Sequence, residues 1–130
     1  MDAPAVAVTR NGARFDMIWM DMRTGANDRQ IYWRIVDAKS RPGERPLSDD
    51  SKSAKGHPSV AVGSKAVHAA WEDNRTGEQR IWYRALSGDG KDVPLSPEKG
   101  KASFPSLACG KIVGVAFEYG SDAVFAAAER

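Results

Sequence analysis

The chain is 130 residues long, 42% hydrophobic and 28% charged, which is the composition of one globular domain with a modest core and not of a disordered chain. Nineteen basic against 17 acidic residues leave a formal charge of +2, too even a balance to single out nucleic acid or an anionic membrane as the partner. Apolar runs of about five residues are too short for a membrane helix. The single cysteine, Cys109, excludes an internal disulfide and reads as a small core residue; no metal and no cofactor is expected.

The opening MDAPAVAV lacks a basic region followed by an apolar one, so no signal peptide is expected. No single location is read from this: secreted or periplasmic if a leader has been removed, otherwise cytoplasmic. PAVAV, from Pro4, predicts a strand over 4–8. Alternation in RFDMIWMD predicts a second over 14–21, and RQIYWRIV a third over 29–36, joined by a polar loop containing Gly25. A short fourth follows near Arg45–Ser48.

The pattern then restarts. PSVAVG begins at Pro58, and strands are expected over 58–62, 66–72 and 79–86, with a fourth near Val93–Ser96. It restarts again with PSLACG at Pro105, IVGVAFEY with a strand over 111–117, and DAVFAAAER with one over 122–127. This last segment is Ala-rich and favours helix by intrinsic propensity, but its place in the repeat predicts a strand. Trp19, Trp71 and Phe117 share one position of the repeat.

A period near fifty residues marks stacked supersecondary units, and four antiparallel strands per unit describe a β-propeller blade. The expected fold is all-β: a single partial β-propeller segment with units at about 1–56, 57–103 and 104–130, the last incomplete. A unit reading HPSVAV, VHAAWEDNRTGEQRIWYRALSGDG and PLS resembles the repeats of sialidase-like propellers, also called BNR or Asp-box repeats. That family's Asp box, Ser-x-Asp-x-Gly-x-x-Trp, is matched loosely by Ser87, Asp89 and Gly90, with Val93 where Trp is expected; VDAKS in the first unit departs further. The resemblance implies that loops joining second and third strands lie on the ligand face. Members of the family include both catalysts and binding modules.

The doubled WMDMRTG and WEDNRTG fall in those loops. Trp19 and Trp71 are expected between neighbouring blades, with Asp21–Arg23 and Asp73–Arg75 paired across their own loops and Gly25 and Gly77 supplying positive φ. The competing reading aims Arg23 and Arg75 at a ligand carboxylate in a central cavity. Residues present in every repeat usually serve the repeat's own packing, which favours the scaffold. The third unit reads FEYGSD, leaving Glu118 and Tyr119 without an arginine. A sialidase-like tyrosine and carboxylate pair would have to converge, and neighbours on one strand point apart.

His57 is expected as a hydrogen-bonded loop residue on the ligand face, and His68 as a packed strand residue. Tyr32, Trp33, Trp82 and Tyr83 are candidates for a sugar-stacking surface if they are not interblade packing. The reading is a non-catalytic, lectin-like module for glycans or polar surfaces. Its candidate contacts are Asp21, Arg23, His57, Asp73, Arg75, Glu118 and Tyr119, and no catalytic residue is assigned. The alternatives are a glycosidase formed only on assembly, with Asp21, Asp73 and Glu118 as carboxylates, or a structural protein-interaction propeller. An open array exposes the faces of its end units, so a homodimer is the expected partner state.

Overall fold

The computed structural model describes residues 2–8, 14–23, 29–37, 44–48, 52–86 and 90–129. Among them there is no helix, and no sheet closes on itself. The first sheet holds β1 (Asp2–Val8), β2 (Arg14–Asp21), β3 (Gln30–Asp37) and β4 (Arg45–Pro46), in that order. The second repeats it with β5 (Lys55–Val62), β6 (Val67–Asp73), β7 (Arg80–Ala85) and β8 (Val93–Pro94). The third holds β9 (Ala102–Cys109), β10 (Val113–Tyr119) and β11 (Asp122–Glu129). All pairings are antiparallel.

The Ala-rich segment is a strand. Val124, Ala126 and Ala128 pack against a buried cluster, and β11 pairs with β10 along its length, so tertiary burial overrides helical propensity. The three first strands start earlier than alternation alone suggests, because a bulge interrupts the register of each: between Asp2 and Ala5, between Gly56 and Ser59, and opposite Ala116 to Glu118 in β9. Ser87 and Asp89 of the loose Asp box, and Gly25, lie outside the described residues. Gly90 is described, and its requirement is steric: a Cβ there would sit 2.0 Å from the Ala85 carbonyl oxygen. Gly77 turns the β6–β7 loop at φ 99°.

The sheets stack in succession, with β5 packed between β1 and β9. Period-two alternation gives the middle sheet two buried faces. Val67, Ala69, Trp71 and Trp82 meet Ile18, Met20, Ile31, Trp33 and Leu47 of the first sheet. Ala70, Ile81 and Tyr83 meet Leu107, Val113, Val115 and Phe117 of the third. Trp71 is wholly buried in the first interface, as its position in the repeat predicts. Trp19 is not between described sheets: alternation turns it to the other face of β2, where it is buried and stacked on Tyr32 at 6.2 Å. Cys109 is half-buried at the edge of the second cluster, not fully in the core, because it ends β9 at the turn into β10.

Equivalent backbone bonds lock sheet to sheet. Lys55 N–H donates to the Arg29 carbonyl at 2.8 Å, and Ala102 N–H to the Gln79 carbonyl at 2.9 Å. Leu107 N–H donates to Ser59 Oγ at 3.0 Å, joining β9 to β5.

Candidate functional site

The Trp-x-Asp-x-Arg motif forms the same cassette twice. In the first sheet, Trp19 Nε1 donates to Asp21 Oδ2 at 3.0 Å, and the Arg23 amide donates to Asp21 Oδ1 at 2.8 Å. The Arg23 guanidinium then reaches Asp21 at 2.7 Å and Glu44 at 2.5 Å, lying 4.1 Å over the Tyr32 ring. In the second sheet, Trp71 Nε1 donates to Asp73 at 3.2 Å and the Arg75 amide at 3.0 Å. The Arg75 guanidinium meets Asp73 at 2.6 Å, Asp92 at 2.9 Å and Ser48 at 3.1 Å, 4.0 Å over the Trp82 ring. Asp92 stands one residue before β8 as Glu44 stands one before β4, so the acidic partner belongs to the repeat as well.

The second cassette is the more enclosed. Ser48 comes from the first sheet and donates to Asp92 at 2.5 Å, Arg84 Nη1 reaches Asp92 at 3.2 Å, and buried Lys55 lies 3.8 Å from Asp73. Burial works against the Arg75 charge, but Asp73 and then Asp92 outweigh it, and the guanidinium pKa is raised. The Arg23 guanidinium, and after it the Trp19 indole, hold the Asp21 carboxyl below the usual carboxylate range. Both arginines fold back along their own sheets. Their forks are filled by protein carboxylates, which is the scaffold arrangement.

The remaining candidates separate. Glu118 is exposed on β10, and Tyr119, its neighbour, donates its hydroxyl to the Lys99 carbonyl. The two do not converge. Trp33, Trp82 and Tyr83 are buried between sheets and Tyr32 is half-buried under Arg23, so these four aromatics pack. His68 is buried with Nδ1 2.7 Å from the Tyr83 hydroxyl.

His57 is different. It lies within β5 and not in a loop, because the bulge lets the strand continue past it. Its φ is 46°, and Phe104, at the same position of the next sheet, has φ 55°. Both precede a proline, Pro58 and Pro105, and both occupy the left-handed region, where a side chain is strained. The His57 and Phe104 rings meet edge to face with centroids 4.7 Å apart. Glu72, buried below them, holds the pair: Oε1 lies 2.8 Å from His57 Nδ1, and Oε2 accepts the Phe104 amide at 2.7 Å. The His57 side chain is 49% exposed and Phe104 is 53% exposed.

An exposed aromatic and an exposed imidazole are thus fixed side by side on adjacent first strands. Sequence reasoning found His57 but not Glu72 or Phe104. The signal was present in the residue before each repeat-opening proline, where His57 and Phe104 align. Comparison with models of known protein families, with curated proteins and with solved structures gives no match.

Proposed function

We propose that the chain is a non-catalytic binding module of sialidase-like propeller type, the three sheets being successive blades, and that it recognises a hydroxyl-rich ligand such as a glycan at the His57–Phe104 rim. The observation that carries this reading is the Glu72 brace. A buried carboxylate accepting from His57 Nδ1 fixes the half-exposed imidazole, whose Nε2 can meet a ligand hydroxyl, next to an exposed Phe104 ring on which the C–H face of a sugar can lie. Strained backbone at two equivalent positions, both at this rim, supports the assignment, since such strain gathers where ligands are held.

A hydrolytic role draws no support from the carboxylates. Asp21 is kept ionised, Asp73 is enclosed by Arg75, Lys55 and Trp71, and Glu118 stands apart on β10, so the three carboxylates do not converge on one cavity. The test is a titration of the labelled protein with neutral oligosaccharides, followed by nuclear magnetic resonance. Saturable shifts at the His57 and Phe104 side chains, lost in Phe104→Ala, are expected. Shifts confined elsewhere, or none across neutral sugars, overturn the site.

A further inference from the structure

A second feature lies away from that rim, between the first two sheets. A cavity of about 220 Å³ is lined by Trp33, Arg45, Pro46 and Leu47 on one side and by Arg84, Ala85 and Leu86 on the other. Ala85 pairs with His68, at the far end of β6 from Asp73, so the cavity and the His57 rim sit toward opposite ends of the strands. Arg45 lies over the Trp33 ring at 4.2 Å, and among the described residues its guanidinium makes no hydrogen bond or ion pair. Arg84 Nη1 donates to Asp92 Oδ1 at 3.2 Å.

Arg84 is paired with Asp92 of the scaffold, but among the described residues Arg45 has no such role. In the corresponding cleft between the second and third sheets, Tyr83 pairs with Val93 as Trp33 pairs with Arg45. Two residues beyond the partner of Phe117 stands Ala126, where Arg84 stands two beyond the partner of Trp71. One cleft therefore carries two guanidinium groups and the next carries Val and Ala at the same places, with both interfaces packed. Arg23 and Arg75, which recur with the repeat, are spent on carboxylates of the chain itself. Arg45 is not.

We propose that this cleft binds a small organic carboxylate. A guanidinium stacked on an indole keeps its N–H edge free for a two-pronged bond to a carboxylate, and Arg84 adds a second positive group across the cleft. Leu47, Leu86 and Pro46 line the same space and suit a short apolar stem. The volume lies below the usual range for drug-sized ligands, about 300–1,000 Å³, and limits the stem to a few carbons.

The experiment titrates the labelled full chain with sodium butyrate at constant ionic strength and follows the indole N–H resonance of Trp33, assigned with Trp33→Phe. A saturable shift is expected, weakened roughly tenfold or more in Arg45→Gln, since bonds to charged groups are at stake. Arg45 is exposed, so its variant should keep the other three indole resonances in place and report on binding alone. No saturable shift in the wild type overturns the proposal, as does a shift of equal affinity in Arg45→Gln. Equal binding of inorganic phosphate also overturns it, because the apolar stem would then contribute nothing.

Discussion

Arg75 lies flat on the indole of Trp82, its guanidinium carbon 4.0 Å from the ring centroid, and turns its N–H fork toward Asp73 and Asp92. That posture spans the sheet: the arginine starts in the β6–β7 loop, crosses β7 and ends beside β8, with Ser48 of the first sheet completing its shell. Arg23 repeats the posture over Tyr32 but in the open, at 41% side-chain exposure against 15% for Arg75.

The two arginines should therefore differ in stability although the sequence writes them alike. Arg75→Ala leaves Asp73 and Asp92 enclosed without their main counter-charge, an effect on the order of 3 kcal/mol. Arg23→Ala releases an ion pair that water can replace, and should lower the denaturation midpoint far less. Urea unfolding of both variants measures the order. Equal midpoints would refute the enclosed network.

Trp71→Ala should exceed both. The side chain is 0% exposed and sits among Ile18, Met20, Trp33 and Trp82 between the first two sheets, so truncation opens a cavity at a cost of about 3–5 kcal/mol. Calorimetry against Trp19→Ala separates burial between sheets from burial on an outer face. The Trp71 variant should melt lower.

The sheets were legible in the sequence because apolar alternation and the three proline-led restarts carry the same register that the hydrogen bonds follow. A coordinated exchange was not legible. Asp16 accepts the Trp33 indole N–H at 3.1 Å in the first sheet, His68 meets the Tyr83 hydroxyl in the second, and the Phe125 ring lies over Gly114 in the third. Each pair spans the same two strand positions, but the partners change polarity together, and alignment by residue type scores them as unrelated. The His57–Phe104 rim was half-hidden for a similar reason. Its strain is a backbone angle, and its brace, Glu72, sits on a strand where alternation marks it only as inward-facing.

Asp21 gives the protein an acid limb. Its folded pKa is depressed by Arg23 first and Trp19 second, so the stabilisation is fully present above the unfolded value near 4 and is lost as pH falls through the folded value. Asp21→Asn should flatten the fall in melting temperature below about pH 4 while changing little of its slope above pH 5. An unchanged acid slope in the variant would place the effect on other carboxylates.

The outer face of the third sheet predicts association. The middle sheet buries both of its faces, but the third leaves Phe125 63% exposed beside exposed Ala116 and Glu118 on the face turned from β7. Glu118 occupies the position of Glu72, whose carboxylate accepts the amide of Phe104 in the following sheet. Among the described residues Glu118 makes no such bond. The matching amide on a second copy is that of Ala3, which precedes Pro4 as Phe104 precedes Pro105. Two copies joined head to tail would place the third sheet of each against the first sheet of the other, six sheets in a ring, which is an ordinary propeller number. Light scattering should then report about twice the mass of one chain, and dilution should lower the melting temperature, since assembly and folding are linked. Phe125→Lys, by placing a charge on the apolar face, should return the mass to that of one chain while circular dichroism stays β. A wild-type monomer whose melting temperature ignores concentration would defeat the head-to-tail contact.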